Sequence, residues 1–322
     1  MIRRGEFDVI AQSLAPLSDT ARGLGLTDDA ALYAPAPGRT AVLSTDTLVA
    51  GVHFLPDDPP GDIARKALRV NLSDIAAMGA VPQGYLLNLA LRETATDAWL
   101  DAFVAGLAAD QAIYRITLFG GDTVRTPGPL TLSVTAIGEV RIGRALKRGN
   151  AQIGDGIYVT GTIGDAAAGL RLLTDPADVP NADALIARYR LPQPRVTVGP
   201  RLVGLATAAI DVSDGLVADL AHICETSAVA ATVQAADVPL SRALRAAMAG
   251  DILSLPDALT GGDDYELLFC APPTAHDALI ALGAELDVPV TPIGEITSGH
   301  DVTVIDENGT PVVLPRAGHT HF

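Results

Sequence analysis

Apolar residues in this chain come in short runs, and many of the runs close on acidic or glycine-containing clusters. Residues 40–43 (TAVL) are apolar and partly β-branched, which predicts a strand ending at Ser44, Thr45, Asp46 and Thr47, three hydroxyls around one carboxylate. Residues 62–78 repeat at helical spacing, with Asp62 as N-cap and Gly79 as the stop. Ala67, Val70, Asp74 and Met78 fall on one side of that helix, so Asp74 lies on or beside an apolar stripe. An unpaired carboxylate there is costly, so it needs a cation, a set of donors or a neighbouring element to cap. Other strands are expected at 85–92, at 116–119 running into Gly120-Gly121-Asp122-Thr123, and at 130–140. Helices are expected at 5–14 and, capped by Thr96, at 97–111 with Trp99, Phe103 and Leu107 inward.

The second half repeats the texture. A strand at 157–160 leads into Gly161-Thr-Ile-Gly164-Asp165 and a helix at 166–173. That loop resembles a phosphate-binding turn only superficially, because it lacks both the P-loop lysine and the dinucleotide spacing. A rigid turn at 192–195 precedes a helix through Leu205. The run 208–210 delivers Asp211, Ser213 and Asp214, with Ser213 as N-cap of a helix over 216–226, a helix start suited to phosphate oxygens. Gly261-Gly262-Asp263-Asp264 precedes a strand at 265–270, and a helix at 272–282 and strands at 288–296 and 302–305 follow.

With 322 residues the length prior is about two domains. The basic group Arg141, Arg144, Lys147 and Arg148, followed by the Gly149-Asn150 turn, marks the boundary: 1–148 and 149–322. A net charge of −16 argues against a nucleic-acid partner, since phosphate backbones need a basic face. Phosphorylated small molecules stay open to an acidic protein if divalent metals bridge the like charges. Cys224 and Cys270 sit in apolar runs and read as buried small hydrophobes, with no metal-type or disulfide spacing. No run reaches the roughly 18 apolar residues of a membrane span. A soluble cytoplasmic protein is expected.

Many carboxylates beside glycines and hydroxyls, some arginines and no nucleophile–histidine pair fit phosphoryl transfer, which needs positioning and charge neutralisation. The segments GLTDDAAL (25–32), STDTLVAGVHF (44–54), NLSDIAAMGA (71–80), GGDT (120–123), DVSDGLVADL (211–220) and GGDDYELLF (261–269) resemble, in order, the thiamine-monophosphate kinase family. Its wider superfamily includes aminoimidazole-ribonucleotide synthetase and selenophosphate synthetase.

The resemblance implies two α/β domains. The N-terminal mixed sheet, in a domain for ATP, Mg²⁺ and dimerisation, forms a barrel across a homodimer. The C-terminal α/β sandwich completes the nucleotide and substrate site. It implies Asp29, Ser44, Thr45, Asp46, Asp74, Asp122, Asp211 and Asp214 as Mg²⁺ ligands, with Asp46, Asp122 and Asp214 central to catalysis. Gly121, Asp122, Arg148 and Ser213 would contact ATP, and His53, Asp263 and His319 thiamine monophosphate. The implied reaction is direct transfer from ATP to thiamine monophosphate, giving thiamine diphosphate. Alternatives are another ATP-dependent synthetase of the superfamily, or a non-catalytic nucleotide- or metal-binding regulator. Two positions depart from the family pattern. Asp263 stands where a glutamate is common, and His319 where an aromatic residue usually precedes the final Phe by three positions.

Overall fold

The computed structural model describes residues 4–314, so His319 lies outside the described residues. The chain divides into two compact units. One comprises the residues up to Ile75 together with Ala80–Ile142; the other comprises Ala76–Gly79 and the chain from Gly143 onward.

The first unit is built on a four-stranded mixed sheet of β1 (Arg39–Val49), β2 (Val81–Arg92), β3 (Thr117–Thr126) and β4 (Thr131–Arg141). The order is β1-β4-β2-β3, antiparallel except for the parallel β2–β3 pair. Strand alternation divides β1 cleanly. Val42 and Leu48 are buried, whereas Leu43, Thr45 and Thr47 are exposed on the opposite face. The strand runs well beyond residue 43, so the Ser44–Thr47 cluster expected at a strand end lies inside the strand, its polar residues carried by the ladder to β4.

Two helices cover the inner face, α2 (Pro60–Ala77) and α3 (Asp97–Tyr114), after a short α1 (Glu6–Val9). The expected helix over 5–14 is α1 running into a single π-helical turn at Ile10–Leu14. Helix α2 begins at Pro60, so Asp62 sits in its first turn and not at the N-cap. It ends as its glycine requires: Gly79 adopts φ +69, and the Gly79 and Ala80 amides donate back to the Ala76 and Ile75 carbonyls. Asp110 of α3, fully buried, joins the two helices by accepting from Arg65 Nε at 2.9 Å and from Arg69 Nε and Nη2 at 2.6 and 2.9 Å. The helices approach closely because both contact positions are glycine. A Cβ on Gly106 would lie 2.3 Å from the Gly61 carbonyl. On the opposite face of the sheet the loop holding Tyr33 and Ala36 reaches Glu139 of β4, while Leu43, Thr45 and Thr47 are exposed.

The second unit holds a six-stranded mixed sheet in the order β10-β7-β9-β5-β8-β6. Its strands are β5 (Gly156–Thr160), β6 (Ala208–Asp211), β7 (Ala230–Gln234), β8 (Leu267–Ala271), β9 (Val290–Thr297) and β10 (Val302–Ile305). Both faces are buried, which explains its near-continuous apolar strands. Ile157, Val159, Ile210, Leu268 and Cys270 pack with α7 (Leu216–Ser227), while Tyr158, Ala209, Leu267 and Phe269 face α10 (His276–Leu286). A third apolar cluster joins α4 (Asp165–Thr174), α5 (Ala182–Arg190), α8 (Arg242–Ala249) and α9 (Leu255–Thr260).

The helix expected to run through Leu205 is only the four residues of α6 (Gly199–Leu202). Gly199 packs its Cα on the Ala76 carbonyl, and Gly204 turns the chain at φ +94. Strand β8 begins two residues later than expected, because Tyr265 sits in the left-handed region at φ +51 and cannot pair as a strand. Both cysteines are buried in the α7-side core, as their apolar runs suggested.

Candidate functional site

The helix-covered face of the first unit's sheet holds a concentrated set of oxygen atoms. Ser44 and Asp46 project from β1 toward α2. Ser44 Oγ donates to Asp74 Oδ2 at 2.6 Å, and the Asp46 amide donates to Asn71 Oδ1 at 3.0 Å. Asn71 and Asp74 are one helical turn apart, so one stretch of α2 grips the strand twice. The Asp46 carboxyl lies within hydrogen-bonding reach of Asp74. Burial pushes its pKa up, and the Asp74 interaction pulls it down. Asp74 thus sits on the helix's inner stripe with oxygen partners. Two carboxyls in contact repel when both are ionised, and a cation between them relieves that repulsion. The donor set is all oxygen, which suits a hard divalent ion, so these residues fit Mg²⁺.

Thr45 does not join them. Its hydroxyl is on the other face, donating to the Val134 carbonyl and accepting from Thr135 Oγ1, both at 3.1 Å. Gly121 and Asp122 lie within β3 and not past its end. Gly121 is required where it stands, because φ is +153 and a Cβ would sit 1.8 Å from the Leu87 carbonyl oxygen. Asp122 is exposed and pairs in register with Asn88, which pairs with Ser133, which pairs with Thr47. Strands β1 and β3 are the opposite edges of the sheet. Three inter-strand spacings, about 14 Å, therefore separate the Asp46 and Asp122 strands. Among the described residues, no three of His, Cys, Asp and Glu come together as a metal-holding group. His53 folds back on its own turn, Nδ1 accepting from the Val49 amide at 3.0 Å, which leaves a neutral ring its proton on Nε2. Asp29 is exposed in the loop after the turn Leu24–Leu26.

In the second unit Asp211 ends β6 and is buried, and Ser213 and Asp214 follow, both half-buried. Ser213 is not the N-cap of α7. That position is Gly215, at φ +123, and Asp219 from the first turn does the capping. Asp219 Oδ2 accepts from the amides of Ser213, Asp214 and Gly215 at 3.0, 3.1 and 3.2 Å. Burial raises Asp219 to about 7 against the pull of those amides. The carboxylate takes the anion's place at this helix start. The loop 161–165 is likewise filled: Asp264 accepts from the Gly164 amide at 2.6 Å and the Ala166 amide at 3.2 Å. Burial raises Asp264 to about 8, with the Gly164 amide and the Arg188 charge pulling it down. Arg148 is exposed, and its carbonyl accepts from Ser227 Oγ at 3.0 Å.

Sequence reasoning missed the charged group behind Asp263. Glu266 is fully buried between Arg188 and Arg195, and it also accepts from Thr160 Oγ1 at 2.6 Å. Arg188 belongs to α5, a nine-residue helix that the apolar pattern did not reveal. Its one signal was a glutamate following Asp263-Asp264 into an otherwise apolar strand, a position that demands buried cations.

The geometry has relatives. Models of the AIR synthase related protein, N-terminal and C-terminal domains, match residues 27–140 and 152–307. The chain is 45% identical to the thiamine-monophosphate kinase of Escherichia coli (strain K12) over 324 aligned residues, 99% of this chain and 98% of the relative. The chain belongs to the thiamine-monophosphate kinase family, within the AIR synthase related proteins. The resemblance carried by the motifs from residue 25 to residue 269 therefore extends over nearly the whole length. Among solved structures of the thiamine-monophosphate kinase family, the one from Stenotrophomonas maltophilia K279a is 45% identical with a TM-score of 0.84, covering 97% of this chain and 98% of that one. AaThiL complexed with AMPPCP and TMP is 31% identical with a TM-score of 0.79, covering 100% and 99%. Among the described residues, no helix is long and apolar enough to cross a membrane.

Proposed function

We propose that this chain transfers the γ-phosphoryl group of ATP in line to thiamine monophosphate, giving ADP and thiamine diphosphate, as a Mg²⁺-dependent homodimer. The supporting observation is the contact of Asp46, Asp74 and Ser44, an oxygen cluster on the motifs that the thiamine-monophosphate kinase family shares. AaThiL, a relative that aligns with this chain nearly end to end, is complexed with AMPPCP and TMP.

Asp46, Asp74 and Ser44 would hold Mg²⁺, with Asp29, Thr45, Asp122, Asp211 and Asp214 as further ligands. Bound ions would supply neutralisation of phosphate charge. The chain's own residues do the rest. Gly121 lets backbone approach a phosphate, Arg148 and Ser213 meet the nucleotide, and His53 and Asp263 meet thiamine monophosphate. The attacking phosphate oxygen is an anion near neutral pH, so a strong general base is not needed. In this assignment residues 1–148 supply the metal-binding cluster and the dimer face, and residues 149–322 complete the nucleotide and substrate contacts.

The exposed part of the first unit's outer sheet face, beyond the end where Tyr33 and Ala36 reach Glu139, supports the dimer. Leu43, Leu86 and Val124 stand on it among threonines and serines, and a sheet face of this kind asks for a covering layer. The test is ADP release from ATP and Mg²⁺ with thiamine monophosphate or free thiamine as acceptor. Turnover with the monophosphate alone, forming thiamine diphosphate, is expected. Equal rates with free thiamine would overturn the phosphate acceptor, and no ADP with either would overturn the kinase.

A further inference from the structure

Asp263 and Tyr265 both have positive φ, +72 and +51. Aspartate tolerates the left-handed region, but a tyrosine there is strained. Such a conformation persists only where its surroundings over-determine it, and here they do. The Asp263 amide donates to the Ser213 carbonyl at 2.9 Å and the Tyr265 amide to the Val212 carbonyl at 2.7 Å. Between them the Asp264 carboxylate is pinned to the start of α4. Gly262 packs so closely on Ser213 that a Cβ would lie 2.2 Å from its carbonyl oxygen.

One side chain closes the arrangement. Arg188 Nη2 donates to the Asp264 carbonyl at 3.1 Å and to Glu266 Oε1 at 2.8 Å, spanning the residues on both sides of Tyr265. Its Nε is buried and has no hydrogen-bond partner among the described residues. Leaving a buried donor unpaired is costly. The guanidinium is therefore not oriented for its own satisfaction. Its orientation serves the turn. Arg195 already answers the Glu266 charge, so neutralising Glu266 does not by itself require Arg188.

We propose that Arg188 is a positioning residue: by gripping the Asp264 carbonyl and the Glu266 carboxylate together, it holds the 263–265 turn and fixes where Asp263 meets the substrate. This rests on the assignment of Asp263 to thiamine monophosphate made above. It assigns to Arg188 an effect on that substrate and not on ATP.

The discriminating variant is Arg188→Lys, which keeps the charge near Glu266 but loses the guanidinium's fixed, multi-donor geometry. The expected result is a KM for thiamine monophosphate raised about tenfold, with KM for ATP and kcat within about twofold of wild type. Calorimetric Kd for thiamine monophosphate should rise in parallel. In an Asp263→Ala background the same change should add nothing further, because the residue it positions is gone. If Arg188→Lys does not fold, Arg188→Gln is measured in the same way with the same expectation. An unchanged KM in a well-folded variant, an equal rise in the Asp263→Ala background, or a joint change of both KM values and kcat would each overturn the positioning role while leaving the kinase intact. A wild-type chain that neither binds nor phosphorylates thiamine monophosphate would overturn both.

Discussion

Asp46 and Asp74 face each other across the strand–helix contact with Ser44 donating into the pair, and a cation between them relieves the repulsion of two ionised carboxylates. Asparagine at position 46 has nearly the same shape and keeps one oxygen, so it separates charge from fold. Asp46→Asn should lower kcat at least a hundredfold, and residual activity should need more Mg²⁺ for half-saturation. The thermal midpoint should hold or rise slightly, since a buried like-charge contact has been removed. Wild-type turnover at saturating Mg²⁺ would remove Asp46 from the metal-ligand set. The same reasoning separates Ser44 from Thr45. Both are hydroxyls in one tetrapeptide, but strand alternation turns them to opposite faces, so only Ser44 shares a site with Asp46 through its side chain.

At the scale of elements, the first unit depends on how α2 and α3 are joined. Asp110 is fully buried and answers two arginines, one of which, Arg69, is itself buried and stacks 5.6 Å from the Tyr114 ring. Removing one partner of a buried pair leaves an uncompensated charge, worth about 3–5 kcal/mol. Asp110→Ala should therefore lower the thermal midpoint by several degrees while leaving KM for both substrates near wild type. A midpoint within a degree of wild type would show that the pair is dispensable. This clamp was not legible in the sequence, because charges four residues apart on an amphipathic helix read as a solvated face until the partner helix is known. The apolar runs were more transparent. β1, β2, α2, α3 and the buried strands β5, β6 and β8 follow from periodicity alone, with boundaries moved where a glycine or a left-handed residue intervened. The short helices α5, α8 and α9 escaped because their apolar faces are a few residues wide and meet largely one another and α4. The motif residues could be found from order and spacing. Their arrangement could not, since Asp219, which fills the helix start expected to suit phosphate, and Asp264, which fills the loop at 161–165, act from positions the motifs do not mark as contacts.

For the whole molecule, the unsolved piece of the first unit is its outer sheet face. Leu43 is 65% exposed at the end of an outer-face row that continues through the buried Ile137, and the next row carries Thr45, Thr135 and Leu86. Asp46 and Asp122 stand on edge strands three strand spacings, about 14 Å, apart and on opposite faces of the sheet, whereas a magnesium ion reaches its ligands at about 2.1 Å. If both aspartates serve one site, a single copy of the sheet cannot supply them to one ion. A second copy laid against the outer face, as proposed above, would give the leucines a cover. Leu43→Asp tests this arrangement without touching a proposed ligand. The substituted side chain points away from α2, so the monomer should fold, with its thermal midpoint lowered no more than loss of the partner explains. Sedimentation should then report half the wild-type mass, and turnover should fall with the dimer fraction. The loss should be reversed by raising protein concentration, because association and activity share one equilibrium. A Leu43→Asp chain that sediments as a monomer yet turns over at the wild-type rate would make each subunit self-sufficient. The placement of Asp46 and Asp122 on opposite edge strands would then mean that they serve different ions.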